Sequence, residues 1–128
     1  LNFVKARFIL ALTPLSFAKL LLTSLSFASM FYVYILKSKT QLGAIYKGYT
    51  EDLVKRLEQH NDSKNQGYSK RFAPWEIETY LSFSDVKKAK DFEKYLKSSS
   101  GHAFTHKHLL SEDFKRALTK FRDGKGER

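Results

Sequence analysis

The spacing of apolar positions changes repeatedly along this chain, and from Met30 onward the changes delimit its elements. Phe31–Lys37 is rich in aromatic and β-branched residues, the pattern of a buried strand. Alternation puts Tyr32, Tyr34 and Leu36 on one face and Phe31, Val33 and Ile35 on the other, so both faces are apolar or aromatic. Ser38–Gly43 is polar and ends in glycine, which suits a hairpin, and Ala44–Tyr49 returns as a second strand. Thr50 is placed to cap a helix reaching Asn61, with Glu51 and Asp52 in its first turn. Asp62–Ala73 is a polar, basic loop, and Pro74 leads into a third strand, Trp75–Phe83. Ser84 is expected to cap a helix from Asp85 to Ser99, with Gly101 as its stop. A short helix over Ala103–Leu109, a last helix over Glu112–Arg122 and a frayed Asp123–Arg128 tail complete the chain. The order β-β-α-β-α-α predicts an α+β fold, a small three-stranded antiparallel sheet flanked by helices.

Residues 1–29 break this pattern. They hold no acid, and Lys5, Arg7 and Lys19 are their charges among many Leu, Phe, Ser and Thr. Pro14 and Lys19 interrupt the apolar run that a secretory signal or a membrane-spanning helix requires. The compositional boundary falls at the chain's one Met, Met30, and residues 1–29 are expected to be a leader or a misassigned extension. The domains expected are therefore 30–110 for the folded unit and 111–128 for a C-terminal helix and tail.

Charge then narrows the partners. The 128 residues carry 23 Lys plus Arg against 13 Asp plus Glu, a net +10, of which +7 remains without the first 29 residues. Such a surface attracts polyanions, nucleic acid or an anionic membrane. With no cysteine, disulfides, thiolate metal sites and thiol nucleophiles are excluded, and a reducing cytoplasm is a compatible setting.

Candidate chemistry lies on the two predicted helices. In the first, Leu53, Val54 and Leu57 form the apolar stripe, and Arg56 and His60 are i,i+4 neighbours beside it. An arginine there is suited to a phosphate and a histidine to a proton, although a surface arginine beside a half-buried histidine is the plainer reading. In the second, Val86, Ala89, Phe92 and Leu96 form a stripe that contains Glu93. A carboxylate at such a position needs a partner, either Mg²⁺ or a cation such as Arg56, Lys90 or Lys97. Tyr34 and Tyr46 on the hairpin are core aromatics on the plain reading, while Gly48 leaves backbone bare for a close approach.

The combination resembles the GIY-YIG nuclease superfamily. Tyr32-Val33-Tyr34, then Tyr46-Lys47-Gly48, then Arg56 on the following helix match its motifs in order. The run Tyr46–Asn61, Ala73-Pro74-Trp75, Phe92–Lys97 and Ser100-Gly101 are similar to its small stand-alone members, which are related to the excinuclease nuclease domain. The resemblance implies phosphodiester hydrolysis with Mg²⁺ or Mn²⁺ held by Glu93, a phosphate bound by Arg56, and His60 near the reaction centre. It also implies that one of Tyr34 and Tyr46 helps to activate water. Lys70, Arg71, Lys90, Lys94 and Lys97 are the cations expected to line a nucleic-acid groove, and Tyr68 is a candidate to stack on a base. DNA is expected ahead of RNA, and no membrane is expected for the folded domain. Two departures stand out. Tyr32 occupies the first motif's glycine position, and Lys47 occupies an apolar position on a strand expected to be buried there. The asparagine that some members carry after the metal glutamate has no clear counterpart, with Thr105, His106 and His108 nearby.

An active endonuclease is the leading expectation, and a catalytically weak nucleic-acid-binding module on the same fold is the alternative. A carboxylate in the apolar stripe favours the first, because it opposes polyanion binding unless a cation bridges it.

Overall fold

In the computed structural model, which describes residues 30–125, three strands form one antiparallel sheet: β1 (Phe31–Ser38), β2 (Ile45–Thr50) and β3 (Trp75–Phe83). The order is β2-β1-β3, so the most apolar strand lies at the centre, buried on both faces. Tyr34 pairs with Gly48 on one side and Tyr80 on the other. Gly43 closes the hairpin with φ +91, a left-handed conformation that other residues adopt only under strain. The expected leader, 1–29, lies outside the described residues.

Four α-helices flank the sheet: α1 (Leu53–Asn61), α2 (Val86–Leu96), α3 (Ser99–Phe104) and α4 (Glu112–Lys125). A 3₁₀ turn at Tyr68–Phe72 gives the basic loop a structure its polarity did not predict. The caps of α1 and α2 sit later than expected. Asp52, not Thr50, accepts the Lys55 N–H at α1, and Asp85, not Ser84, accepts from Lys87 and Lys88 at α2. In both places a hydroxyl and a carboxylate compete within two residues, and the carboxylate is the one nearer the free amides.

Gly101 is not a stop. It lies inside α3, where a Cβ would fall 1.9 Å from the Tyr95 carbonyl oxygen and 2.6 Å from Leu96 Cα, so it permits α3 to press onto the end of α2. The last helix runs past Arg122 to Lys125. Val54 and Val86, assigned to apolar stripes by spacing, are exposed instead.

The sheet separates two cores. Val33, Ile35, Ala89, Leu96, Leu110 and Phe114 pack on the face covered by α2 and α4. Tyr34, Leu36 and Trp75 pack on the other, with Tyr46, Leu53 and Leu57 against them. No helix of the described residues is long and apolar enough to cross a membrane.

Candidate nuclease site

The second face carries a cluster built by three elements. β1 supplies Tyr34, β2 supplies Tyr46, and α1 supplies Arg56 and His60 one turn apart. Tyr34 Oη lies 3.0 Å from His60 Nε2 and accepts a hydrogen bond from Arg56 Nε at 3.2 Å. The Tyr46 ring stands edge-on to the His60 imidazole at 4.6 Å between centroids and is stacked beside Tyr34 at 6.3 Å. Arg56 is braced from the same helix by Gln59, whose Oε1 accepts from Nη1 at 3.1 Å.

Gly48 makes this arrangement possible. The Tyr34 phenol lies over it, and a Cβ there would fall 2.4 Å from the hydroxyl oxygen. The bare backbone inferred from sequence therefore receives a side chain of the cluster itself.

Burial sets the protonation states. It pushes the Tyr34 phenol above its ordinary pKa, against the hydrogen bond and charge of Arg56, which pull it down. Burial, helped by the Arg56 charge, holds the His60 imidazole below its ordinary value, so it is neutral at pH 7. The hydrogen bond to Tyr34 holds Arg56 above its own ordinary value. Since Arg56 already donates to Tyr34 Oη, we assign the phenol proton to the bond with Nε2, leaving the His60 ring proton on Nδ1. The result is a directed chain, Arg56 to Tyr34 to His60.

An open hollow of ≈ 250 Å³ lies against this cluster, lined by Tyr46, Arg56, His60, Asn65 and Tyr68 among others. Of the two motif tyrosines, Tyr46 is the one that faces it. Tyr34, only 1% exposed, sits behind. Sequence reasoning missed Gln59 and Asn65. Gln59 lies in the matched run but was given no role, and only the folding of the 3₁₀ turn over α1 brings Asn65 to the hollow. It also missed Asn61, whose amide clamps the Trp75 backbone from both sides, accepting from N at 2.6 Å and donating to O at 2.9 Å.

Glu93 comes from the other side of the sheet, on α2. It is half-buried and paired with Lys97, one of the partners expected for it, and its charge is felt at Tyr34, where it disfavours the phenolate. As a metal ligand it fits Mg²⁺: a hard oxygen donor with 21% of its side chain accessible. Among the described residues no three His, Asp or Glu side chains converge, so Glu93 would hold an ion here without a cluster of protein ligands around it.

The expected groove cations divide. Lys70 and Arg71 are exposed on the 3₁₀ turn beside Tyr68, which is 70% exposed, and Arg71 lies over the Phe72 ring. Lys90, Lys94 and Lys97 are exposed on α2 or at its end, with Lys90 over the Tyr49 ring and Lys97 engaged with Glu93. Trp75 is core, its indole N–H donating to the Ser69 carbonyl. Thr105 donates its hydroxyl to the Gly101 carbonyl, and His108 packs on Phe104. His106 lines a separate hollow beside the hairpin.

A three-stranded antiparallel sheet flanked by helices, with a tyrosine of its central strand against the helix that follows β2, is consistent with a GIY-YIG type of fold. The family model described as the GIY-YIG catalytic domain matches residues 30–107, and the chain belongs to that family. Within it, the chain is similar to UPF0213 proteins. It is 35% identical over 69 residues to one from Bacillus licheniformis, covering 54% of this chain and 69% of that protein. With UPF0213 protein YazA of Bacillus subtilis it shares 39% over 66 residues, 52% of this chain and 65% of the relative. The solution structure of a UPF0213 protein from Bacillus halodurans aligns over 72% of this chain and 84% of that one, at 28% identity and a TM-score of 0.33.

Proposed function

We propose that this protein is an Mg²⁺- or Mn²⁺-dependent endonuclease that hydrolyses phosphodiester bonds in nucleic acid, DNA ahead of RNA. The observation that carries the proposal is the Arg56–Tyr34–His60 chain beside an open hollow. A surface that merely binds phosphate has no use for a neutral imidazole hydrogen-bonded to a buried phenol.

In this reading Arg56 offers its free N–H groups to the scissile phosphate and balances the charge that builds on it. Tyr46, the phenol facing the hollow, orients the attacking water. His60, neutral and tuned by burial, takes the Tyr34 hydroxyl proton at Nε2 as the Tyr34 oxygen accepts the water's proton, so the proton is relayed through that phenol. Glu93 holds the divalent ion. Once bound, that ion would stabilise negative charge on the leaving oxygen. Lys70, Arg71, Lys90 and Lys94 supply salt-sensitive contacts to the backbone, and Tyr68 stacks on a base at the rim. A cytoplasmic protein acting in DNA processing or repair fits this chemistry.

The test is cleavage of single-stranded, duplex and branched DNA and RNA by the full chain, in Mg²⁺ or EDTA, beside Glu93→Ala. Metal-dependent cutting that disappears in the variant, with binding retained, is the expected result. Retarded bands without cutting under every condition would replace the proposal with a binding module, a reading to which the Lys97–Glu93 pair lends itself because it neutralises the carboxylate without metal.

A further inference from the structure

Lys47 has no part in the chemistry just described, yet it is a lysine buried in the sheet. It stands between Tyr46 and Gly48 on β2 and points to the opposite face, where it is 6% exposed. Among the described residues no carboxylate lies within ion-pair distance of it. Its Nζ instead donates to the Leu96 carbonyl at 2.7 Å and lies 3.0 Å from His102 Nδ1. Burial alone holds its pKa below the ordinary value. An apolar side chain would fill this position without the several kcal/mol that burying an ammonium costs.

Its partners are informative. Leu96 is the last residue of α2, where carbonyls lack partners within the helix and the helix dipole is negative. Glu93 lies three residues earlier, nearly one turn along the same helix. His102 lies on α3 next to Gly101, whose missing side chain lets α3 sit directly on Tyr95 and Leu96. One ammonium thus joins the middle of β2, the end of α2 and the last turn of α3.

We propose that Lys47 is a positioning residue that fixes the last turn of α2, and with it the Glu93 carboxylate, against the strand that carries Tyr46. This rests on Glu93 being the metal-holding residue, and Lys47 itself touches neither metal nor substrate. The sheet lies between Lys47 and the tyrosines, so its influence runs through the backbone of β2 and the carbonyl of Leu96. Removing the ammonium lets the end of α2 shift, and the carboxylate moves with it while the cationic surface stays as it was.

The experiment compares the full chain with Lys47→Met, which keeps the apolar stem and loses the donors. Mn²⁺ affinity is followed by water-proton relaxation, amide exchange at Leu96–Ser98 in metal-free protein, and cleavage against Mg²⁺ concentration. Folded Lys47→Met is expected to bind Mn²⁺ about tenfold more weakly. Its exchange at the end of α2 is faster, its kcat is restored by excess Mg²⁺, and its nucleic-acid affinity in EDTA is unchanged. If Lys47→Met does not fold, His102→Ala removes one partner at an exposed position, and the same shift in Mn²⁺ affinity is expected in smaller measure. Wild-type Mn²⁺ affinity and wild-type exchange in whichever variant folds would overturn the proposal. A wild-type chain that binds Mn²⁺ but cuts nothing would remove the endonuclease reading and leave the Lys47 comparison standing on affinity and exchange.

Discussion

The two faces of β1 are built from adjacent residues and have opposite characters. Val33 and Ile35 meet Ala89, Leu96 and Phe114 in a core held by shape and apolar area. Tyr34, between them in sequence, meets Tyr46, Arg56 and His60 through directed hydrogen bonds and ring edges. The two strand positions are equally buried: Ile35 is 0% exposed and Tyr34 1%. Burial does different work on each face. On the first it supplies stability. On the second it tunes proton affinity, keeping a phenol protonated and an imidazole neutral. A strand of period two can serve both ends because it is central and its neighbours cover both sides.

Substitutions at these positions should separate stability from chemistry. The largest effect belongs to the apolar face: Ile35→Ala is expected to cost about 2–5 kcal/mol of stability in denaturant unfolding. Activity per folded molecule should be little changed, and a selective loss of turnover with normal stability would dissolve the distinction between the faces. Next comes Arg56→Ala, expected to lower kcat by about 10²–10³-fold with a small change in melting temperature. Unaltered turnover would remove Arg56 from the site.

Tyr34→Phe sharpens the contrast, because the ring stays and the hydroxyl goes. About 1 kcal/mol of stability is expected to be lost, while single-turnover cleavage falls by roughly tenfold to a hundredfold.

The pH profile gives a smaller and more general signal. The folded pKa of His60 is depressed, so the unfolded chain binds this proton first as pH falls. Its contribution to stability is complete above the ordinary histidine value and is lost as pH drops through the folded one. Turnover should follow the same acid limb, falling about tenfold per pH unit below the folded pKa if His60 accepts the proton. An acid limb that persists in His60→Gln would assign it to another group. The effect farthest from the reacting groups is expected from Tyr68→Ala, which should weaken single-strand affinity by about 1 kcal/mol without altering the pH profile.

Much of this was legible in the chain before folding. The strand of aromatic and β-branched residues, the hairpin ending at Gly43 and the i,i+4 spacing of Arg56 and His60 are local patterns, and the structure carries them where the pattern implied. The ordered motifs also sufficed for family and fold class. The apolar stripes were less reliable at their margins. Val54 shares the apolar character of Leu53 and Leu57 but is half exposed, whereas His60 is the buried residue of α1. Hydrophobicity cannot tell which edge of a stripe a neighbouring strand will cover, and here Tyr34 and Tyr46 covered the histidine's edge.

What the sequence determined by itself is the three strands, the main helices and which side chains have reactive chemistry to offer, because periodicity and residue chemistry are local properties. Tertiary structure alone decided that Tyr34 rests on Gly48, that Gly101 is a packing surface, and that Lys47 ends on the carbonyl of Leu96. Each depends on which backbone from a distant part of the chain comes within a few ångströms, and no local pattern encodes that approach.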